Sequence, residues 1–271
     1  MTTQGKGTAL ITGASSGIGA VYADRLAHRG YDLIIVARNR GKLDALATRL
    51  TNETKRSVEV LAADLNDKAD LARVEETLKK DASITLLVNN AGFGAFTPLL
   101  SSDINKMEEM ISVNINALTR LTYAAVPGFV ARGTGTIVNI SSIVAISPET
   151  LNGVYGGSKA YVLALSHSLQ HELASKGIRV QAVLPGATAT NFWDTAGLPV
   201  HNLPSAIVMT TENLVDAALS GLDQGELVTI PALPIQAEWD RFEGARRDMS
   251  TRLSRREPAP RYGLKDVAKA S

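Results

Sequence analysis

The chain has 271 residues, of which 45% are hydrophobic, which is enough to bury a substantial core and excludes a disordered or fibrous protein. With 28 Lys and Arg against 27 Asp and Glu, the net charge is +1, which gives no general attraction to nucleic acid or to an anionic membrane. Cysteine is absent, so disulfides, thiolate nucleophiles and cysteine-ligated metal sites are excluded.

No apolar run approaches the length of about eighteen residues that a membrane span needs. Residues 1–16 also lack the apolar stretch of a signal peptide. We therefore expect a cytoplasmic protein with neither a membrane partner nor a nucleic-acid partner.

Seven short runs rich in aliphatic and β-branched residues predict strands. Most of them are continuously apolar, a pattern typical of strands covered by helices on both faces of a parallel sheet. The predicted strands span residues 8–12, 32–37, 57–62, 84–89, 135–141, 178–184 and 227–230.

Amphipathic segments separate these strands, and several begin at residues that favour helix N-termini. They span residues 17–30, 40–52, 67–81, 103–131, 153–176 and 212–224. The alternation predicts an α/β fold of the Rossmann type, with a doubly wound, seven-stranded parallel sheet and helices on both faces.

No linker or repeat divides the chain, which predicts a single domain over residues 1–271. Residues 186–211 follow the sixth strand, at the sheet edge where ligands bind, and are predicted to form a substrate loop or lid. Residues 234–271 are predicted to form a helical extension and tail. Its excess of positive charge favours a solvated helix or a subunit contact over a nucleic-acid arm.

A glycine-containing turn leads from the first strand into a helix, with the sequence Thr12-Gly13-Ala14-Ser15-Ser16-Gly17-Ile18-Gly19. Unpaired N–H groups at a helix N-terminus can hold a pyrophosphate, and glycines allow its close approach. The spacing differs from the usual GxGxxG, and a simple tight connection is the alternative.

Arg38, after the second strand, stands where an acid would bind a ribose 2′-OH. It therefore favours a 2′-phosphate, and NADP(H) over NAD(H), although a plain surface arginine is the alternative.

Tyr155 and Lys159 lie four residues apart on one predicted helix. The ammonium can therefore approach the phenol and lower its pKa toward neutral pH, where a proton donor is most effective. Such pairs also occur by chance. Ser142 adds a hydroxyl at the end of the fifth strand. Asn114, a poor helix former in mid-helix, indicates either a polar task or a solvent-facing side chain.

Two other patterns point to different chemistry, and neither is complete. His167 and His171 have the spacing of a zinc pair, but no third ligand is evident, so no metal site is predicted. Ser142 does not lie in a GxSxG turn, which argues against a hydrolase.

Taken together, the motifs resemble the short-chain dehydrogenase/reductase family in its single-domain form. The resemblance covers nearly residues 5–232 and rests on TGASSGIG, Asn89-Asn90-Ala91-Gly92, Asn114, Ser142, Tyr155, Lys159 and Pro185-Gly186. It implies that Tyr155 is the catalytic acid/base, that Lys159 tunes it and binds the nicotinamide ribose, and that Ser142 polarises the substrate carbonyl. It also implies that Asn114 holds a water for proton relay.

The resemblance further implies a cofactor site. Its residues are Gly13, Ser15, Ser16, Gly17, Ile18, Gly19, Arg38, Asp64, Asn90, Tyr155, Lys159, Pro185, Gly186, Thr188 and Thr190. Asp64 is implied to bind the adenine amine, and a loop acid near a helix start is the alternative.

We therefore expect an NADP(H)-dependent oxidoreductase acting on a small-molecule carbonyl or secondary alcohol. The alternatives are an NAD-preferring dehydrogenase and a non-catalytic dinucleotide-sensing protein; the complete set Ser142, Tyr155 and Lys159 argues against the sensor.

Apolar residues at the expected cleft mouth predict a neutral, apolar substrate: Phe93, Phe96, Ile143, Val144, Ile146, Phe192, Trp193, Leu198 and Leu203. The broadly apolar helices 103–131 and 153–176, which this family commonly pairs between subunits, predict a homodimer or homotetramer.

Overall fold

Seven parallel strands form the central sheet of the computed structural model, which describes residues 6–196, 198 and 200–264. The strands are β1 (Thr8–Thr12), β2 (Asp32–Ala37), β3 (Val58–Ala62), β4 (Ile84–Asn89), β5 (Gly135–Ile140), β6 (Ile178–Val183) and β7 (Val228–Thr229). They are arranged in the order β3-β2-β1-β4-β5-β6-β7, and each neighbouring pair is parallel. The predicted Rossmann-type sheet is confirmed, and β7 is shorter than its predicted span.

The α-helices of the described residues are α1 (Gly17–His28), α2 (Arg40–Thr54), α3 (Lys68–Lys80), α4 (Ile104–Ile111), α5 (Leu118–Arg132), α6 (Gly153–Leu173), α7 (Phe192–Ala196), α8 (Thr211–Gln224) and α9 (Gln236–Ser250). The single helix predicted over 103–131 is instead α4 and α5, joined by a π-helical segment, Ser112–Ala117. Asn114 lies in this wider turn, and its side chain bonds to groups outside the helix. The helix predicted over 153–176 is α6 followed by a 3₁₀ turn, Ala174–Lys176.

Two apolar cores cover the two faces of the sheet. In β1, Ala9 and Ile11 belong to one core and Leu10 to the other; in β2, Leu33 and Ile34 are divided in the same way. Successive side chains of a strand point to opposite faces, so a strand buried on both faces must be apolar throughout. This is the physical reason for the unbroken apolar runs in the sequence.

The strand order reverses beside β1, which pairs with β2 on one side and with β4 on the other. In an open parallel sheet, ligands bind in the crevice outside the carboxyl ends of the strands at such a reversal. The glycine turn after β1 and Asn90 after β4 both lie at this crevice.

The chain divides into two compact units, one ending at Ala232 and the other beginning at Leu233. The second unit contains α9, along which Glu243 pairs with Arg246 and Arg247. Residues 265–271 of the predicted tail lie outside the described residues. In the part of the chain that the structure describes, every helix is too short or too polar to cross a membrane.

Candidate active site

Glycines shape the turn that follows β1. Gly13 and Gly17 have φ angles of +69° and +55°, in the left-handed region that favours glycine. A Cβ atom on Gly19 would collide with the carbonyl oxygen of Gly13. The three glycines therefore allow α1 to begin directly against the end of β1.

The N-terminus of α1 differs from that of most other helices. Ser16 is its N-cap residue and makes no side-chain capping hydrogen bond with any described residue, and the first turn contains no acid. Side chains cap α2, α3, α4, α6 and α8, namely Asn39, Asp67, Asp103, Asn152 and Thr210. The first N–H groups of α1 are thus open to an anion at the positive end of the helix dipole. Ser15 and Ile18 are half-buried beside them, and the turn fits a pyrophosphate.

The loops after β4 and β6 both contact the glycine turn. The Asn90 side chain donates to the carbonyl oxygens of Thr12 at 2.8 Å and Gly13 at 3.3 Å. A Cβ atom on Gly17 would lie 3.2 Å from Cγ2 of Thr190. Residues predicted to bind one cofactor, although far apart in sequence, are therefore neighbours.

The loop after β6 also contacts the loop after β5. The carbonyl oxygen of Pro185 accepts hydrogen bonds from the Ile143 N–H at 3.0 Å and from the Ser142 hydroxyl at 3.4 Å. Thr188 is buried and donates to the carbonyl oxygen of Gly186 at 3.0 Å. These contacts join the loop of Pro185, Gly186, Thr188 and Thr190, which are predicted to bind the cofactor, to the segment that carries Ser142.

Arg38 and Asp64 follow the adjacent strands β2 and β3. Arg38 is exposed and forms no ion pair with any residue that the structure describes, so its guanidinium is available to a ligand. Asp64 accepts from the N–H of Asn66 at 3.0 Å and so organises its own loop. Its adenine role and the 2′-phosphate role of Arg38 stay predictions.

Helix α6 carries Tyr155 and Lys159 to the carboxyl end of the sheet. Both side chains are buried, and Nζ of Lys159 lies 5.8 Å from the centre of the Tyr155 ring. The ammonium donates to the carbonyl oxygen of Ile140 at 2.9 Å, so the end of β5 holds it in place. Burial lowers the pKa of Lys159 to about 8.

Ser142 lies near the phenol of Tyr155 and affects its pKa. Burial raises the pKa of Tyr155 to about 12, and the nearby Ser142 hydroxyl lowers it by a smaller amount. The expectation that Lys159 brings this pKa toward neutral pH is therefore wrong, because withdrawal of the phenolate from water outweighs the favourable interactions. Tyr155 consequently keeps its proton at neutral pH, the state that a proton donor requires.

Asn114 is buried and bonds to the loop after β4. Its Oδ1 accepts from the Phe93 N–H at 3.1 Å, and its Nδ2 donates to the Phe93 carbonyl at 2.9 Å and to Ser158 Oγ at 3.1 Å. A Cβ atom on Gly92 would lie 2.8 Å from Oδ1 of Asn114 and 3.7 Å from Nζ of Lys159. Asn114 therefore lies beside Lys159 and does not face solvent; its role in proton relay stays a prediction.

Several buried side chains that hold α6 against β5 are not among the predicted site residues. Ser141 donates to the carbonyl oxygen of Lys159 at 2.8 Å. Asn139 donates to Ser166 Oγ at 3.0 Å and accepts from Asn89 at 2.9 Å. The signal for this network in the sequence is the pair of asparagines inside otherwise apolar strands, since buried amides need partners.

A third apolar cluster surrounds Tyr155. Its buried members are Ala95, Met107, Met110, Val144 and Tyr155 itself, and Phe93, Leu151, Val154 and Phe192 pack against them. Of the residues predicted at the cleft mouth, Phe93, Val144 and Phe192 belong to this cluster. Phe96 and Ile146 lie outside it and are 43% and 39% exposed.

Comparison with known proteins identifies the family. A sequence model of the short chain dehydrogenase family matches residues 7–198, from the start of β1 into the segment after β6. The chain belongs to this family, the short-chain dehydrogenases/reductases, and the resemblance seen in the motifs is confirmed.

Two solved structures are similar over nearly the whole chain. A short-chain dehydrogenase from Sphingobium yanoikuyae, in complex with NADPH, is 50% identical with a TM-score of 0.92, covering 94% of this chain and 99% of that one. The bulky-bulky ketone specific alcohol dehydrogenase from Comamonas testosteroni is 44% identical with a TM-score of 0.87, covering 94% of this chain and 98% of that one.

A curated human relative carries a different description. The inactive hydroxysteroid dehydrogenase-like protein 1 of Homo sapiens is 35% identical over 187 residues, which are 68% of this chain. The chain covers 56% of that relative, little more than half of its length. Membership of the family is thus compatible with a protein named inactive, and the activity of this chain has to be argued from its own residues.

Proposed function

We propose that this protein is an NADP(H)-dependent oxidoreductase that interconverts neutral, apolar carbonyl compounds and their secondary alcohols. The observation that carries the proposal is the placement of three buried side chains together: Ser142 near the Tyr155 phenol, and the Lys159 ammonium 5.8 Å from the centre of the Tyr155 ring. All three lie at the carboxyl ends of the strands, where the glycine turn also lies.

The residues around the glycine turn fit a dinucleotide. The uncapped start of α1 would hold the pyrophosphate, Arg38 the 2′-phosphate and Lys159 the nicotinamide ribose. When bound, NADPH supplies the hydride for the carbonyl carbon. The NADPH complex of the Sphingobium yanoikuyae relative supports this choice of cofactor.

Ser142 and Tyr155 would both act on the carbonyl oxygen. The Ser142 hydroxyl donates a hydrogen bond that polarises the carbonyl, and Tyr155 transfers its phenolic proton to the same oxygen as the alcohol forms. The raised pKa of Tyr155 keeps that proton in place at neutral pH. The ammonium of Lys159 then stabilises the phenolate that remains.

The cluster around Tyr155 supports an apolar substrate. Met107 and Met110 are unbranched and polarizable, so they adapt to irregular apolar shapes, and Val144 and Phe192 add further apolar surface. The name of the Comamonas testosteroni relative, which describes specificity for bulky-bulky ketones, supports the same class. We infer that neutral ketones and aldehydes are preferred over small charged keto acids.

The test is NADPH oxidation with a homologous series of ketones, a pyruvate-like acid, and the Tyr155→Phe variant. Each added methylene is expected to raise kcat/KM about three- to fourfold until the pocket is full. Tyr155→Phe is expected to lower kcat at least about a hundredfold, the usual effect of losing a general acid, with little change in the Kd of NADPH. Near-normal turnover by a folded Tyr155→Phe variant would contradict the assigned proton donor. A preference for the acid would contradict only the apolar substrate.

The human relative named inactive makes a non-catalytic dinucleotide-binding protein the second candidate. Such a protein has no need of Ser142, Tyr155 and Lys159 placed together at one edge of the sheet. The same assay separates the two candidates, because NADPH binding without oxidation across the whole carbonyl panel would favour the second.

A further inference from the structure

The ring of Phe192 lies against the ring of Tyr155. The two ring centres are 5.5 Å apart with planes inclined at 46°, and Phe192 packs on the apolar cluster around the phenol. Phe192 belongs to α7, a helix of five residues in the segment after β6. An aromatic side chain is therefore in contact with the proposed proton donor.

Gly94, in the loop after β4, makes room for this ring. A Cβ atom on Gly94 would overlap Cζ of Phe192, and it would also lie 2.8 Å from Cε2 of Phe192 and 3.3 Å from Cδ2 of Tyr155. The φ angle of Gly94 is not positive, so packing rather than backbone conformation requires glycine here. Phe192 thus occupies the space that a side chain at position 94 would fill.

Hydrogen bonds fix the position of the loop after β4, which carries Gly94 and forms a wall beside the Tyr155 ring. Asn114 forms hydrogen bonds with both the N–H and the carbonyl of Phe93. Asn152 donates to the carbonyl of Thr97 at 2.6 Å and also caps α6. The loop is therefore tied on both sides of Gly94 to the elements that carry the catalytic side chains.

Phe192 is positioned by its own neighbours in α7. The ring of Trp193 meets it edge to face at a centre distance of 5.5 Å, and the Trp193 indole donates to the carbonyl of Thr188 at 2.8 Å. The carbonyl of Ala196 accepts from the N–H of Phe96 at 3.0 Å, which links the end of α7 to the wall. A carbonyl substituent that enters the space between the wall and Tyr155 must share it with the Phe192 ring.

We propose that Phe192, seated over Gly94 and against Tyr155, is a specificity-determining residue that limits the size of one substituent of the substrate carbonyl. The preferred substrates are then neutral ketones with one large and one small substituent, a sterically narrower class of ketones than the name of the Comamonas testosteroni relative describes. Shortening Phe192 admits a second large group, because the wall behind it is fixed and the vacated space opens beside the phenol. This inference rests on the proposed carbonyl specificity.

Binding and turnover are measured with an aryl methyl ketone and a diaryl ketone. In the protein saturated with NADP⁺ the ketones cannot be reduced, so calorimetry reports affinity without turnover. Phe192→Ala is expected to improve the Kd of the diaryl ketone, relative to the aryl methyl ketone, by about tenfold, the lower end of the range for one group in an apolar pocket. Phe192→Leu should give a smaller change in the same direction. With NADPH, the ratio of kcat/KM values should change in parallel.

Leu99→Ala is the control, because Leu99 follows the loop that carries Gly94 but is 82% exposed and lies outside the cluster. It should leave the ratio of the two Kd values within about twofold. An unchanged ratio in folded Phe192→Ala and Phe192→Leu would overturn the size limit. If the ratio shifts as expected but no ketone is reduced by the wild type, the size limit stands and the proposed reaction fails.

Discussion

Replacement of Lys159 by Met should separate the stability of the fold from its chemistry. Lys159 is buried, and its pKa falls from the ordinary 10.5 to about 8 because burial disfavours the ammonium. At neutral pH the folded protein therefore holds a charge in an environment that opposes it. Met has a side chain of similar length without the charge, so the variant isolates the cost of that charge.

The magnitude follows from the shift in pKa. At about 1.4 kcal/mol for each pKa unit, the charged ammonium destabilises the folded state by about 3 kcal/mol at pH 7. Met also leaves the carbonyl oxygen of Ile140 without its donor, which costs about 1–3 kcal/mol. At pH 7 we therefore expect the free energy of unfolding of Lys159→Met to equal that of the wild type or to exceed it by up to about 2 kcal/mol.

The pH dependence of the free energy of unfolding tests the argument more specifically than the value at one pH. Between pH 8 and 10.5 the unfolded chain binds more protons at Lys159 than the folded chain, so this residue makes stability rise with pH. From pH 7 to 9.5 the wild type should gain about 2 kcal/mol relative to Lys159→Met. Tyr155 acts in the opposite direction only above its ordinary pKa of 10.0, and it is common to both proteins.

The free energy of unfolding is measured by urea titration without added cofactor, at pH 7 and at pH 9.5. Lys176→Met controls for the loss of one positive charge, because its side chain is 44% exposed and pairs with Glu172 on the surface. A wild-type stability that changes with pH in parallel with Lys159→Met would refute the argument from burial. Carbonyl reduction should be strongly impaired in Lys159→Met at both pH values.

Two further predictions concern the cofactor and the assembly. Arg38→Ala should weaken NADPH binding about ten- to a hundredfold, which is the value of a charge-assisted hydrogen bond, and should leave the affinity for NADH nearly unchanged. Equal losses of affinity in titrations of both cofactors would show that Arg38 does not select between them. The apolar surfaces of α5 and α6 predict a symmetric dimer or tetramer. Light scattering at micromolar concentration should therefore give a multiple of the chain mass of 28.8 kDa. A mass equal to that of one chain would show the prediction to be wrong.

The sequence alone determines the architecture, because the features that specify it are local. The unbroken apolar runs predict strands buried on both faces, and β1, β2 and β4 have the bounds that those runs predict. The glycine turn is equally local, since φ angles such as that of Gly13 depend on the residue itself and its immediate neighbours. A four-residue spacing is also sufficient to bring Lys159 near Tyr155 on one helix.

The surroundings of those side chains, and therefore their pKa values and packing, depend on the tertiary structure. Spacing predicts a lowered pKa for Tyr155, but burial raises it, because desolvation depends on residues from distant segments that surround the phenol. The break between α4 and α5 has a similar origin, as Asn114 bonds to Phe93 across 21 positions of the chain. Gly94 carries no local signal at all; its need for glycine arises only where α7 brings the Phe192 ring against it. Interactions within a few residues are thus readable from the sequence, whereas charge stabilisation and packing at the site depend on which remote segments the fold brings together.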